Sequence, residues 1–419
     1  MSMPSSESEK EKGYGQHNFA AVFLLAVLAS LSLGFVLVAH LDQHIGDEAV
    51  HAFQISWFLE GRFEQFEHVT VVPIYHAAVA GLTSLLDLED LHGMRFASLL
   101  LGAIALLAFF RLTRLFDQGQ IQERSLLFLF VPFYFPLYFL IYTDMFALAA
   151  VLLMVERTLA RSYKLAGLAA LAAVFIRQPN AVWLAYCAFL ILMDGGKLVM
   201  SREFCRDYLR RAWPLLLAAL AFGLFTLING GVAAGDTAQH TVSFNPTNVY
   251  FMLLAAFVLL FPFCLSRTAA VFELLKAQPW ILVLLVGMYF VFLSTWEHSH
   301  IYNSRELSFY RHNMILHAIS DNPWLLFTSY VCIAWMLVVM VTLALERRDC
   351  PATLWLLPFA ALSVIALPLI EQRYYLPFFG LLFAVLPPLS GRVLATTGIY
   401  YVLATGYILH HISRMNFFL

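Results

Sequence analysis

The sequence predicts an all-α polytopic membrane protein, and three observations carry that prediction. Of 419 residues, 61% are hydrophobic and only 12% are charged. Soluble globular chains run at about 45–50% and about 25%. Apolar stretches of roughly the length a helix needs to cross a bilayer recur from one end to the other. So little polar side chain could not cover a water-soluble globule. Helices, which satisfy their own backbone, are the elements a bilayer accepts.

Taken in order, Met1 to Asn18 is polar and mixed in charge and reads as a disordered cytoplasmic tail. Residues 19–412 read as a single multi-span transmembrane domain. Phe19–Ala39 is the first span, too long for a signal-peptide core and without a small-residue cleavage end. Spans are then expected at Phe96–Phe110, Leu126–Tyr142, Met145–Val155, Leu165–Ile176, Ala181–Met193, Trp213–Ile228 and Tyr250–Leu265. Trp280–Trp296, Trp324–Leu345, Leu354–Ile370, Tyr374–Leu389 and Val393–Leu409 follow, for about 13 transmembrane helices in all.

Lysine and arginine excess marks the cytoplasmic loops. The strongest group is Lys197, Arg202, Arg206, Arg210 and Arg211. Arg111 to Arg124, Arg157 to Lys164, Arg267 with Lys276, Arg347 with Arg348, and Lys10 with Lys12 agree with it only if Val71–Leu86 does not cross. That stretch, with Pro73 and His76, reads as an external re-entrant or interfacial helix. Asp42–Thr70, Tyr142–Asp144, the Arg177 apex, Gly230–Asn248, Glu297–Asn322 and Glu371–Arg373 then share one face. Nearly every unusual polar cluster falls there, which is the pattern of an active site open to one compartment.

Several chemistries are excluded. A net charge of −2 gives no electrostatic case for nucleic acid. Five scattered cysteines form neither a disulfide framework nor a zinc pattern, and no metal or cofactor is expected. Among the polar clusters, Asp47 and His51 stand four apart on one helical face, and one of the adjacent acids Asp47 and Glu48 is a candidate base. Spacing alone fits better a solvated helix start whose acids complement the helix dipole. Asp144 interrupts apolar sequence as either a helix cap or a site acid. Arg177 is a cation in an apolar stretch, a functional candidate by default or a partner for an acid of the bundle. The Gly-rich run Asn229 to Asp236 permits close backbone approach, although a flexible turn explains it better than a nucleotide loop. His298 and Arg305, in the densest polar loop, suit a phosphate, or simply a solvated loop. Glu371 and Arg373 sit between two spans, as a structural ion pair or part of an anion site.

Taken together, DEAVH, VTVVPIYHA, FPLYFLIYTD, IRQPNAVW, NGGVAAGD with His240, the His298–Tyr310 stretch and PLIEQRYYLPFF occur in this order between Asp47 and Phe379. In that order they resemble the dolichyl-phosphate-glucose-dependent α-1,2-glucosyltransferases, multi-span enzymes of the GT-C type. The resemblance implies a GT-C-like bundle and inverting transfer of glucose, or another hexose, from a polyprenyl- or dolichyl-phosphate donor to a lipid-linked glycan. It implies Asp47 as the base, with Glu48 the runner-up. It places His51, Asp144, Arg177, Gly230, Gly231, Asp236, His298, Arg305, Glu371 and Arg373 at substrate- or phosphate-binding positions. The family's Asp-Asn-Arg-His stretch reads Asn303-Ser304-Arg305-Glu306 here. A bacterial envelope-glycan transferase in the inner membrane, or a eukaryotic enzyme of the endoplasmic reticulum membrane, both fit. A transporter or lipid flippase is the reading from another class, and the lack of an internal repeat counts against it.

Overall fold

In a computed structural model, the chain is described over residues 6–117, 119–194, 201–235 and 242–416. Every regular element among the described residues is helical. The chain starts with α1 (Ser6–Ala39), so its first turns lie in the stretch read as a tail. Then come α2 (Glu48–Leu59), α3 (Ile74–Leu86), α4 (Leu91–Phe116), α5 (Ile121–Leu129), α6 (Asp144–Leu159), α7 (Tyr163–Ile176) and α8 (Ala181–Met193). Among the described residues, five helices are long and apolar enough to cross a membrane: Ala21–Ala39 within α1, α4, Arg202–Asn229, Pro323–Glu346 and Gly391–Ser413. Thr268–Ala277 and Trp280–Thr295 make a sixth if counted as one span, although they meet at 103°. Pro279 lies at that break, where a residue without an N–H ends one helix and opens the next. The chain is thus an all-helical, multi-pass membrane protein.

Several expected spans are shorter apolar helices, among them α7, Pro246–Leu259 and Pro351–Ile365. The stretch Leu126–Tyr142, read as one span, is not a continuous helix. α5 stops at Leu129, and turns plus a 3-10 turn at Pro136–Tyr138 carry the chain on to α6. Pro132 and Pro136 have no N–H to give, so an α-helical ladder cannot run through them. Tyr134, Tyr138, Phe139, Leu140 and Ile141 are fully buried there. Irregular backbone is tolerated at depth where protein rather than lipid surrounds it. Tyr134 is met internally: its N–H donates to the Val131 carbonyl at 2.8 Å, and its hydroxyl to the Leu376 carbonyl at 2.7 Å.

α4 packs on α6, α6 on α7, and α7 on Arg202–Asn229, while α2 packs on α3 and α3 on α4. This arrangement brings the starts of α2 and α6, the α7–α8 apex and the Glu371–Tyr375 turn to one end of the bundle.

Candidate active site

Two neighbouring acids at the start of α2 have different fates. Glu48 is fully buried and bound from every side. Arg95, from α4, donates Nη2 to its Oε2 at 2.7 Å and Nε to its Oε1 at 3.1 Å. The backbone N–H groups of Ile45 and Ile141 each add a bond of 2.9 Å. Arg95 also donates to the Leu41 and Gln43 carbonyls, at 2.5 and 2.9 Å. The pair knots the end of α1, the start of α2 and the irregular segment around α4. With both oxygens so occupied, this buried carboxylate is closed to substrate.

Asp47, the N-cap residue of α2, turns the other way. It lines a cavity of about 430 Å³ together with His51, Asp144, Arg177, Glu371 and Arg373. Its Oδ2 accepts from Arg373 Nη2 at 2.7 Å, and its side chain is 46% exposed. The Asp47 backbone N–H donates to the Tyr142 hydroxyl at 2.9 Å, which itself donates to the Ile45 carbonyl at 2.9 Å. Tyr142 thus fixes the loop from which Asp47 projects, and its ring lies 4.8 Å from the Arg373 guanidinium. Arg373 is also paired with Glu371, and its Nη1 lies 3.9 Å from Asp144 Oδ2. Arg177 pairs with Asp144 and sits 5.4 Å from the centre of the Tyr374 ring.

Three carboxylates and two guanidiniums therefore interlock at the cavity wall. Burial alone would raise the Asp47 carboxyl, but Arg373, with His51 and Arg177, holds it below the ordinary carboxylate value. Burial dominates at Glu371 and pushes its carboxyl up. His51 is pushed down to about 4 by burial, against the pull of Asp47, so it is a neutral imidazole at physiological pH. On the opposite wall, burial and then Arg373 hold His312 down to about 3.

The chemistry open to this arrangement is specific. An ionised acid stands beside guanidiniums that suit a phosphate, in a cleft with aromatic walls. A family model described as the DIE2/ALG10 family matches residues 41–203 and 196–383. The chain belongs to the DIE2/ALG10 family. An Arabidopsis thaliana relative, named Dol-P-Glc:Glc(2)Man(9)GlcNAc(2)-PP-Dol alpha-1,2-glucosyltransferase, is 24% identical over 85% of this chain and 89% of its own length. A relative of the same name from Mus musculus is 23% identical over 92% of this chain and 93% of its own. One from Drosophila melanogaster is 26% identical over 68% and 71%. No solved structure matches the chain. Both walls of the cavity lie within the DIE2/ALG10 match, with Asp47 and Arg177 in its first part and Arg373 in its second.

Not every residue singled out in the sequence reaches the cavity of this DIE2/ALG10 member. Arg305 is 68% exposed and pairs with Asp321 at 2.5 Å. His298 Nε2 lies 2.9 Å from Ser320 Oγ. Neither lines the cavity, although Tyr302, Leu307, Tyr310 and His312 of the same loop do. Gly230, at φ +74°, caps Arg202–Asn229 and, with Gly231, stands away from the cavity. The later part of that run braces the wall instead. The Ala234 N–H donates to the Thr70 carbonyl at 3.1 Å. Gly235, at φ +69°, packs so closely that a Cβ there would meet the Val69 carbonyl oxygen at 2.3 Å. Asp236 and His240 lie outside the described residues. Among the described residues no cluster of three metal-ligating side chains forms. The sequence placed Tyr142 and His312 in polar clusters but gave neither a role of its own, because Tyr142 closes an apolar run and His312 is one of many polar residues in its stretch.

Proposed function

We propose that this chain is an inverting glucosyltransferase that moves glucose from dolichyl phosphate to a hydroxyl of a lipid-linked oligosaccharide, forming an α-1,2 link, with Asp47 as the base. The observation that carries this is the meeting of Asp47 and Arg373, 326 residues apart, at 2.7 Å on one cavity. A sugar hydroxyl is a poor nucleophile, so a carboxylate takes its proton as the oxygen attacks the anomeric carbon. The bond from that carbon to the donor phosphate oxygen breaks, and the departing phosphate gains negative charge. Arg177 and Arg373 supply fixed positive charge and bidentate donors for it. Glu371 and Asp144 hold these arginines in place, and Tyr142 holds the loop of the base. His298, Arg305, Gly230 and Gly231 lie off the cavity lining and take no part in holding the phosphate in this scheme.

The relatives' names specify the donor as Dol-P-Glc and the acceptor as Glc(2)Man(9)GlcNAc(2)-PP-Dol. All three relatives come from eukaryotes, which favours the endoplasmic reticulum membrane. The architecture we assign is a GT-C-like bundle of about 13 spans over residues 19–412, with α3 as a re-entrant or interfacial helix. At 13 residues, α3 falls short of a full crossing.

The test uses purified protein in lipid nanodiscs with that donor and acceptor. Asp47→Asn is expected to lower kcat by roughly 10²–10⁴-fold while leaving the melting temperature near that of the wild type. Glu48→Gln is expected to act the other way round, mainly on the melting temperature. Full turnover by Asp47→Asn would remove Asp47 as the base.

A further inference from the structure

A second pair of side chains touches the cavity and has no part in the proton transfer just described. His51 Nδ1 lies 2.9 Å from Nε2 of His76, which projects from α3. His76 is fully buried, and its other ring nitrogen, Nδ1, has no partner among the described residues. Tyr75 and Tyr142 flank the His51 ring edge-to-face, with centroids at 6.3 and 5.8 Å. Neither tyrosine hydroxyl competes for the histidines. Tyr75 is bound to Ser98 at 2.7 Å, and Tyr142 to the Ile45 carbonyl at 2.9 Å.

Two neutral imidazoles at this distance share one proton, and two tautomer arrangements satisfy the contact. Burial separates them. An orphaned N–H costs more in a dry interior than an orphaned lone pair, as the rarity of orphaned backbone N–H groups shows. The orphaned nitrogen is His76 Nδ1, so it carries the lone pair and Nε2 carries the proton. His76 Nε2–H then donates to His51 Nδ1, which leaves the His51 proton on Nε2. That is the remaining ring nitrogen of a side chain lining the cavity one helical turn from Asp47.

We infer that His76 is a positioning residue: it fixes His51 as a neutral Nε2–H donor to a substrate oxygen in the glucosyl-transfer cavity, either a sugar hydroxyl or a phosphate oxygen. The catalytic part of this inference rests on the proposed glucosyltransferase reading, whereas the tautomer does not. A fixed neutral donor adds no charge beside a base that must stay ionised. It also orients substrate without competing for the proton that Asp47 removes. His51 touches the substrate, and His76 acts through it by setting which nitrogen bears the hydrogen.

The experiment uses full-length protein labelled with ¹⁵N-histidine in nanodiscs and records two-bond ¹H–¹⁵N correlations without substrate. Single-histidine variants assign the signals. The Nε2–H form is expected for both His51 and His76. His76→Phe is expected to release His51 from that single form and to lower kcat by about tenfold, the scale of lost orienting bonds behind functional groups. His76→Gln, whose side-chain amide can donate to His51 Nδ1, is expected to restore most of both. A rise in KM for the dolichyl-phosphate-glucose donor alone places the oxygen on the donor, and a rise for the glycan alone places it on the acceptor. Either split supports the inference. An Nδ1–H signal for either histidine in the wild type overturns it, as does a His76→Gln enzyme as impaired as His76→Phe. Should His76→Phe not fold, the wild-type and His76→Gln spectra still decide. Because the tautomers are read without turnover, a failure of the glucosyltransferase reading is distinguishable from a failure here.

Discussion

Asp47 and Glu48 are adjacent in sequence and opposite in circumstance, one open to a cavity and one sealed against Arg95. Their order along the chain made both candidates legible, because acids after a long apolar stretch are conspicuous. Spacing could not tell which one opens to the cavity, since Arg95 is 47 residues away and no spacing rule links it to Glu48; only the family resemblance put Asp47 first. Asp144, Arg177, Glu371 and Arg373 were legible for the same reason as Asp47: each interrupts apolar sequence. Arg305 and His298 drew attention through a high local density of polar residues, which is also what a solvated rim looks like. The histidine one turn from Asp47 gives a pH signature. His51 is held at about 4 in the folded protein against an ordinary value of 6.5. The unfolded chain therefore binds the proton first as pH falls. The His51 contribution to stability is full above pH 6.5 and is lost as pH drops toward 4. Melting temperatures in nanodiscs should fall across that window, and His51→Gln should flatten the fall. An identical slope in the variant would show that His51 is not held neutral by the fold.

At the scale of elements, the least legible part was the stretch from Val131 to Thr143. Composition made it look like a span, and only Pro132 and Pro136 signalled otherwise. Its enclosure by other helices is a tertiary property that hydropathy does not carry. The Gly-rich run was legible as a place of close backbone approach, but what approaches is the chain's own wall at Val69. This yields a graded prediction. Gly230→Ala meets only the cost of a left-handed backbone, since no atom lies within 4 Å of a Cβ there, and should destabilise by about 1 kcal/mol. Gly235→Ala adds a collision with the Val69 carbonyl, so it should lower the melting temperature further and raise substrate KM by moving residues 68–71 of the wall. Equal losses from the two variants would mean that the run does not brace the cavity.

For the whole molecule, composition settled the helical membrane class, because no other solvent suits this chain. The count of crossings was harder to read, since broken helices and a bent pair blur the length rule. Sidedness is testable on a cysteine-free background. Single cysteines at the exposed positions Glu67 and Glu306 should react with a membrane-impermeant thiol reagent from one side, and one at Arg348 from the other. Reaction of Glu67 and Glu306 from opposite sides would separate the two walls of the cavity. The span of 326 residues between Asp47 and Arg373 also has a consequence for biosynthesis. The anchoring contact between Glu48 and Arg95 closes early, across 47 residues. The arginine that meets Asp47 is made much later; at roughly 5–20 residues per second the delay is about 15–65 s. A nascent chain thus carries its acid, already held in place, long before the cation arrives, and any product truncated ahead of residue 373 lacks the guanidinium that pairs with Asp47.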